Sequence, residues 1–268
     1  MKLSIASYSF NGLTEAGMMD VFGYLESCRH RYGLDTADIW TGTLGADEKV
    51  FLHPDFLRKV REALAERDLA LVNYHADGCH VWEDDPAARE RNYKSALAHL
   101  NAAKYLGART ARIDAGGTGH EWTSEQFDLI AKCFKEFAMF GADNGFRVGP
   151  ESHWGPELVP DNMERLAKAV NHPGFGILLH IGHWEQAPAE EGDRRLAPWA
   201  VHTHVDARIT KTRLEPAMRM LLAAGYKGCW GVEHHSGKNE YAEVACQLAE
   251  VRRVLNKLRL EEAQEARH

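Results

Sequence analysis

Four short apolar segments in the second half of the chain each run into a residue type that binds metals or transfers protons. These residues are Glu151, His180, His204 and Glu233, and the segments are 146–150, 175–179, 200–203 and 228–232. Short apolar runs of this kind are typical of strands buried on both faces of a parallel sheet. Two carboxylates and two imidazoles at the ends of neighbouring strands are a donor set for a divalent metal ion.

The alternative is that the four residues are hydrogen-bonded members of loop networks. Burying two carboxylates together without a cation is costly, because like charges at one site force a proton onto one of them. We therefore expect a metal site. Its mixed oxygen and nitrogen donors suit Mn²⁺, our first expectation, or Co²⁺, Fe²⁺, Ni²⁺ or Zn²⁺ better than Mg²⁺, which prefers oxygen ligands only.

An alternation of strand and helix, repeated eight times, must position these residues. The predicted strands are 3–8, 34–40, 69–74, 109–113, 146–150, 175–179, 200–203 and 228–232. The pattern predicts a single-domain α/β protein, a (β/α)8 TIM barrel over residues 1–258, with a charged tail at 259–268 that frays. A doubly wound open sheet is the alternative, but polar residues follow nearly every strand, which favours the rim of a barrel.

Composition excludes several classes of protein. The chain has 268 residues, 44% of them hydrophobic and 26% charged, with a net charge of −7. A negative chain is a poor ligand for nucleic acid, and no apolar run is long enough to span a bilayer. Five scattered cysteines without a CxxC pair indicate reduced thiols in a cytoplasmic protein. We expect a small-molecule sugar substrate. The sequence shows no interface, so it does not decide between a monomer and a homo-oligomer.

A metal ion beside two carboxylates suits chemistry at a sugar carbonyl. The ion polarises the C=O group, which acidifies the neighbouring C–H bond. Glu151 or Glu233 can then take the proton, giving an enediolate. The alternative is that both glutamates are ligands only.

At this point the sequence resembles the xylose-isomerase-like barrel superfamily, which includes ketose 3-epimerases, hydroxypyruvate isomerase and inosose dehydratase. The motifs that carry the resemblance are ESHWG at 151–155, LLHIGHW at 178–184, HTHVDA at 202–207 and GVEHHSG at 231–237. The resemblance implies metal ligation by Glu151, position 180, His204 and Glu233, and an acid/base role for both glutamates. It also implies substrate contacts from His183 and, by a looser match, Arg208.

One position departs from the family pattern. The family usually has Asp where this chain has His180, which makes the site one charge less negative and favours nitrogen-friendly ions. By prevalence, the resemblance implies a sugar isomerase or epimerase first. A β-eliminating lyase acting on a 3-keto-glycoside or keto-inositol is the alternative, since both reactions share the enolate.

Other classes fit less well. A non-catalytic sugar-binding barrel would not need the glutamate pair. A phosphate-ester hydrolase of the endonuclease IV type needs a larger zinc cluster and a basic groove, and no GxSxG nucleophile motif is present.

Further candidates for substrate contact follow from their positions at strand ends. They are His75, Asp114, His153, Trp154 and Trp184. Tyr8 and Trp40 are expected to wall the pocket, and His234 and His235 to orient Glu233. His202 lies on the same predicted strand as His204, and we expect it to face away from the metal and to have a structural or supporting role.

Overall fold

Eight parallel strands alternate with helices along residues 2–265, the part of the chain that the computed structural model describes. The strands are β1 (Lys2–Ile5), β2 (Thr36–Trp40), β3 (Ala70–Ala76), β4 (Thr110–Ile113), β5 (Arg147–Gly149), β6 (Ile177–His180), β7 (Ala200–Val205) and β8 (Cys229–Val232). The helices are α1 (Asn11–Glu15), α2 (Val21–Glu26), α3 (Glu48–Phe51), α4 (Pro54–Glu66), α5 (Pro86–Leu106), α6 (Ser124–Asp143), α7 (Pro160–Val170), α8 (Ala189–Leu196), α9 (Ala207–Thr212), α10 (Leu214–Ala223) and α11 (Glu240–Glu265).

The strands form a ring. Two hydrogen-bonded runs have the orders β1-β8-β7-β6 and β2-β3-β4-β5. Isolated parallel bridges join the runs at both seams, including Ala6 with Asp38 between β1 and β2, and Glu151 with Leu178 between β5 and β6. The predicted TIM barrel is confirmed, and its carboxyl-terminal rim carries the polar strand ends.

The seam between β5 and β6 depends on a glycine. A Cβ atom at Gly149 would lie 1.7 Å from the carbonyl oxygen of Gly176, so a larger residue would push the two strands apart. This close approach places the end of β5, and with it Glu151, directly beside β6.

The helices cover the strands and bury one core. Thr123 begins α6 with a capping box, in which its hydroxyl accepts from the backbone of Gln126 and the Gln126 side chain accepts from the backbone of Thr123. Gly107 ends α5 in the left-handed conformation, at φ 76°. Trp230 and Phe134 are among the largest fully buried side chains. In residues 2–265, no helix has the length and apolar character needed to cross a membrane.

The last helix is longer than the sequence predicts. We expected the barrel to end at Leu258 and the following tail to fray, but α11 continues to Glu265. Leu258 is buried, and Arg219 on α10 forms an ion pair with Glu261 at 2.6 Å, so the end of α11 is held by its neighbour. Glu261, one of the charged residues that suggested fraying, is thus paired across two helices. Residues 266–268 lie outside the described part.

The cysteines give a test of this packing. Cys246 is exposed, whereas the other four cysteines are buried. Burial raises the pKa of the thiols of Cys28 and Cys229 to about 12 and of Cys133 to about 11. Because the thiolate is the reactive form, we expect a disulfide reagent at pH 8 to modify one thiol rapidly in the native protein and five after unfolding in guanidinium. Cys246→Ser should remove the fast phase; a second fast thiol would contradict the packing.

Candidate metal and substrate site

Glu151, His180, His204 and Glu233 converge at the carboxyl-terminal rim of the barrel. One ligand atom from each lies within 4.8 Å of the others, and all four residues are buried. The Nδ1 atom of His204 lies 2.9 Å from Oε1 of Glu151 and 3.4 Å from Oε2 of Glu233. The Nδ1 atom of His180 lies 3.2 Å and 3.4 Å from the same two oxygens.

Strand register explains the convergence. His180 pairs with His204 across β6 and β7, and His204 pairs with Gly231 across β7 and β8. Glu151 follows β5 and bridges to Leu178 on β6. The glutamates therefore flank the two histidines around the ring, and all four side chains face one point.

The charges of the cluster are strongly coupled. Burial raises the pKa of Glu151, but the charges of His204 and His153 and bonding to His180 and His204 outweigh it, so this pKa lies well below its usual range. Burial also raises the pKa of Glu233, and His204 and His235 lower it by more. Both glutamates are therefore carboxylates.

The two imidazoles of the cluster differ. Burial lowers the pKa of His180 to about 4, so this ring is neutral. Burial lowers the pKa of His204 as well, but the charges of Glu233 and Glu151 raise it by more, to well above its usual value. In the absence of a metal ion, the imidazolium of His204 is thus a cation that balances the buried carboxylates.

The donor set fits a divalent ion. Ligand atoms 2.0–2.2 Å from one ion lie about 2.8–3.6 Å apart at octahedral or tetrahedral angles. The four separations between the Nδ1 atoms and the carboxylate oxygens run from 2.9 to 3.4 Å. Nε2 of His180 is buried and has no hydrogen-bond partner among the described residues, whereas its Nδ1 atom faces Oε1 of Glu151 at 3.2 Å. The residues present fit a bound metal ion.

A cavity of about 420 Å³ opens above the cluster. Its lining residues are Tyr8, Trp40, His75, Asp77, Arg112, Glu151, His153, His183, Glu233 and His235. Its size suits a small ligand such as a monosaccharide. The ring of His183 stacks on that of His180 with centroids 3.7 Å apart, and its Nε2 atom lies 3.3 Å from Asp206. His183 therefore reaches the cavity from directly beside the cluster.

Four predicted substrate contacts, all in the described part of the chain, do not line this cavity. Trp184 turns away because its Nε1–H donates to buried Asp193 at 2.8 Å, and Trp154 packs edge-on against His80. Arg208 is more than half exposed and donates to the carbonyl of Gly182. Asp114 forms an ion pair with the buried side chain of Arg112. Position at the end of a strand was a poor guide to side-chain direction in these cases.

Arg112 is the main site residue that the sequence analysis missed. It lies on β4, almost fully buried, and its Nη1 atom is 2.8 Å from Asp77 and 2.6 Å from Asp114. Its Nε atom is 3.3 Å from Oε2 of Glu151. Burial lowers the pKa of Arg112, but the three carboxylates raise it by more, so its charge persists. A charged residue inside an otherwise apolar strand was the available signal.

His235 and Asp38 are two further partners of the cluster. Nε2 of His235 lies 3.0 Å from Oε2 of Glu233, whereas His234 faces the backbone of Lys238. Of the two histidines expected to orient Glu233, the structure places His235 there. Asp38 was not predicted, and it lies beneath the cluster among three imidazoles. One of them belongs to His202. The expectation that His202 faces away from His204 was wrong, because residues two apart on a strand point to the same side.

Replacement of Arg112 tests this charge balance. Arg112→Met keeps the aliphatic bulk but leaves Asp77, Asp114 and Glu151 without their cation. Removing one partner of a buried ion pair costs about 3–5 kcal/mol, and we expect that loss in the free energy of unfolding, measured in urea. The matched variant Arg29→Met removes a solvent-exposed pair with Asp68 and should cost less than about 1 kcal/mol. Equal losses would contradict the assigned role.

Comparisons with known proteins place the fold. The sequence matches the family model for a xylose isomerase-like TIM barrel over residues 30–258. A search of curated proteins finds no match. Similar solved structures include D-psicose 3-epimerase from Clostridium cellulolyticum H10, determined with D-tagatose, at 15% identity and TM-score 0.76, covering 95% of this chain and 99% of that chain.

Two more structures resemble the chain at similar distances. One is 3-keto-D-glucoside 4-epimerase from E. coli, at 14% identity and TM-score 0.73, covering 94% of this chain and 99% of that chain. The other is a probable 3-DHS dehydratase from Bacillus anthracis, at 12% identity and TM-score 0.70, covering 93% and 98%. At these identities the structures show a common fold. Together with the family match, they lead to one conclusion: this chain belongs to the xylose isomerase-like TIM barrel family.

Proposed function

We propose that this protein is a divalent-metal-dependent sugar isomerase or epimerase, which abstracts a proton next to a substrate carbonyl and works through an enediolate. The observation that carries the proposal is the buried convergence of Glu151 and Glu233 with His180 and His204 at the floor of a cavity of about 420 Å³. Support comes from the sugar epimerases among the proteins of the same fold.

The four converging residues would hold the metal, through one carboxylate oxygen of each glutamate and Nδ1 of each histidine. Mn²⁺ is our first expectation, and Co²⁺, Fe²⁺, Ni²⁺ or Zn²⁺ are alternatives with the same donors. When bound, the ion supplies Lewis acidity to the substrate oxygens.

The two glutamates are the acid/base pair. They come from β5 and β8, on either side of the histidines, so they approach a sugar in the cavity from two sides. One carboxylate removes the proton beside the carbonyl. Return of a proton to the same carbon from the other side inverts it, which is epimerisation; return to the former carbonyl carbon gives the isomer.

Neighbouring residues prepare the carboxylates and the pocket. Arg112 forms an ion pair with Oε2 of Glu151 at 3.3 Å, and His235 forms a hydrogen bond with Oε2 of Glu233, so both contacts favour one orientation of each carboxylate. Tyr8 and Trp40 pack edge to face, with ring centroids 5.0 Å apart, and form an aromatic wall. Such a wall suits the C–H face of a sugar ring.

A β-eliminating lyase acting on a 3-keto-glycoside or keto-inositol is the second candidate. It needs the same proton abstraction and, in addition, an acid that protonates the departing group. His183 favours this candidate, because its imidazole lines the cavity beside Asp206 and beside the ligand His180. A probable dehydratase of the same fold adds support.

Metal dependence is tested by stability. A ligand at 100 times its dissociation constant adds about 2.7 kcal/mol of stability, which for a chain of this size is a rise in Tm of roughly 5–10 °C. We expect Mn²⁺ to produce such a rise in metal-free protein and a chelator to reverse it. Glu151→Gln should abolish most of the rise, whereas Glu62→Gln, on the surface of α4, should retain it. No rise with any of the five candidate ions would contradict the metal site.

The reaction itself is tested by proton NMR in D₂O, with the metal-loaded protein and a panel of free ketoses, 3-keto-glucosides and keto-inositols. Deuterium beside the carbonyl of a rearranged sugar indicates an isomerase or epimerase. An unsaturated keto-sugar with a released substituent indicates the lyase. Glu151→Gln and Glu233→Gln should each slow exchange by about 10²-fold or more, and Glu62→Gln should not. Sugar binding without exchange would instead support a non-catalytic barrel.

A further inference from the structure

Asp38 is a fully buried carboxylate beneath the proposed metal cluster. It lies on β2, across the barrel from His202 and His204 on β7. Ser4 and Asn73 donate to it at 3.2 and 2.9 Å, and Nε2 of His202 lies 2.6 Å from Oδ2. These contacts come from three other strands and leave the carboxylate little freedom to rotate.

His204 bridges Asp38 and the metal cluster. Its Nδ1 atom faces Glu151 and Glu233, and its Nε2 atom lies 3.4 Å from Oδ2 of Asp38. Nε2 is buried without a hydrogen-bond partner within the described residues, and the carboxylate of Asp38 is the charged group that it faces. A small shift of the ring would let a proton on Nε2 be donated to Asp38, which would leave the lone pair of Nδ1 for a metal.

Gly231 on β8 is needed for this contact. A Cβ atom at position 231 would lie 3.0 Å from both Oδ2 of Asp38 and Cδ2 of His204. That spacing is tighter than an ordinary van der Waals contact, so any larger residue would press on both partners. Because Gly231 has no side chain, β8 can lie close to the carboxylate of Asp38 and the imidazole of His204 without separating them.

We propose that Asp38 is a positioning residue for the metal site. When a metal is bound, Asp38 would accept the Nε2–H of His204, fix the Nδ1 lone pair toward the ion and make His204 a stronger ligand. This inference rests on the metal site of the proposed function and assigns its support to a residue outside the cavity.

A second metal ion held by Asp38, His202 and His204 is the competing interpretation, since their ligand atoms also lie within 4.8 Å of one another. The 2.6 Å separation between Asp38 and His202 is a hydrogen-bond distance. Two ligands of one ion, each 2.0–2.2 Å from it, would be farther apart, at about 3 Å or more. Asp38 is also already bonded to Ser4 and Asn73. The geometry favours a hydrogen-bonded support.

The test is a Co²⁺ titration of metal-free protein, followed by visible absorption. Asp38→Asn keeps the shape of the side chain but removes its charge. We expect it to weaken Co²⁺ binding about 10–100-fold and Asp38→Glu to restore part of the affinity. The control Tyr226→Phe removes a buried hydrogen bond to the carbonyl of Cys229, at the other end of the barrel. It should lower Tm and leave the dissociation constant unchanged.

The outcomes separate the two proposals. If the wild-type protein binds no ion, the proposed metal site fails, and this inference fails with it. If the wild type binds one equivalent and Asp38→Asn binds as tightly, only the role of Asp38 is overturned. Two equivalents in the wild type, with one lost in Asp38→Asn, would establish the second metal site instead.

A measurement on the wild-type protein avoids any folding defect of the variants. With ¹⁵N-labelled histidine and diamagnetic Zn²⁺, the proposal expects the ring proton of His204 on Nε2. The spectrum of His204→Asn assigns the signal. A proton on Nδ1 of His204 in the metal-bound protein would overturn the proposal.

Discussion

The burial of Glu151 beside Glu233 is the constraint on which the rest of the site depends. Two carboxylates in a low-dielectric interior repel each other and resist ionisation. The structure keeps both ionised by surrounding them with cations and hydrogen-bond donors: His204 between them, Arg112 at Glu151 and His235 at Glu233. A divalent ion at the same point would replace the charge of the His204 imidazolium and leave its ring free to ligate.

The barrel allows this concentration of charge because it combines a polar rim with a large apolar core. Parallel strands that close into a ring bring the ends of β5, β6, β7 and β8 to one rim, and the helices bury the apolar outer faces of the same strands. Polar residues then extend below the rim. Asp38 on β2 and Arg112 on β4 lie inside the ring, each with several partners, so the site is supported from below by ionic and hydrogen-bonded contacts.

Much of this could be predicted from local pattern. An apolar run that ends abruptly on Glu or His indicates a buried strand whose end lies at the rim. This pattern led to the prediction that Glu151, His180, His204 and Glu233 converge there, and in the structure they do. The same reasoning predicted substrate contacts from Trp184 and Asp114, which do not line the cavity because each is bonded to a neighbouring side chain. Asp193 binds the indole of Trp184, and Arg112 binds Asp114.

The sequence by itself determined the fold class, the order of strands and which residue types reach the rim, because apolar periodicity is a local property that each segment carries. Tertiary structure decided which side chains face the cavity, how their charges are balanced and what supports them. Asp38 contacts His202, which lies 164 positions away in the sequence. Arg112 on β4 pairs with Glu151 at the end of the neighbouring strand, and neither strand by itself shows that its charge has a partner. Such contacts arise only when the ring closes.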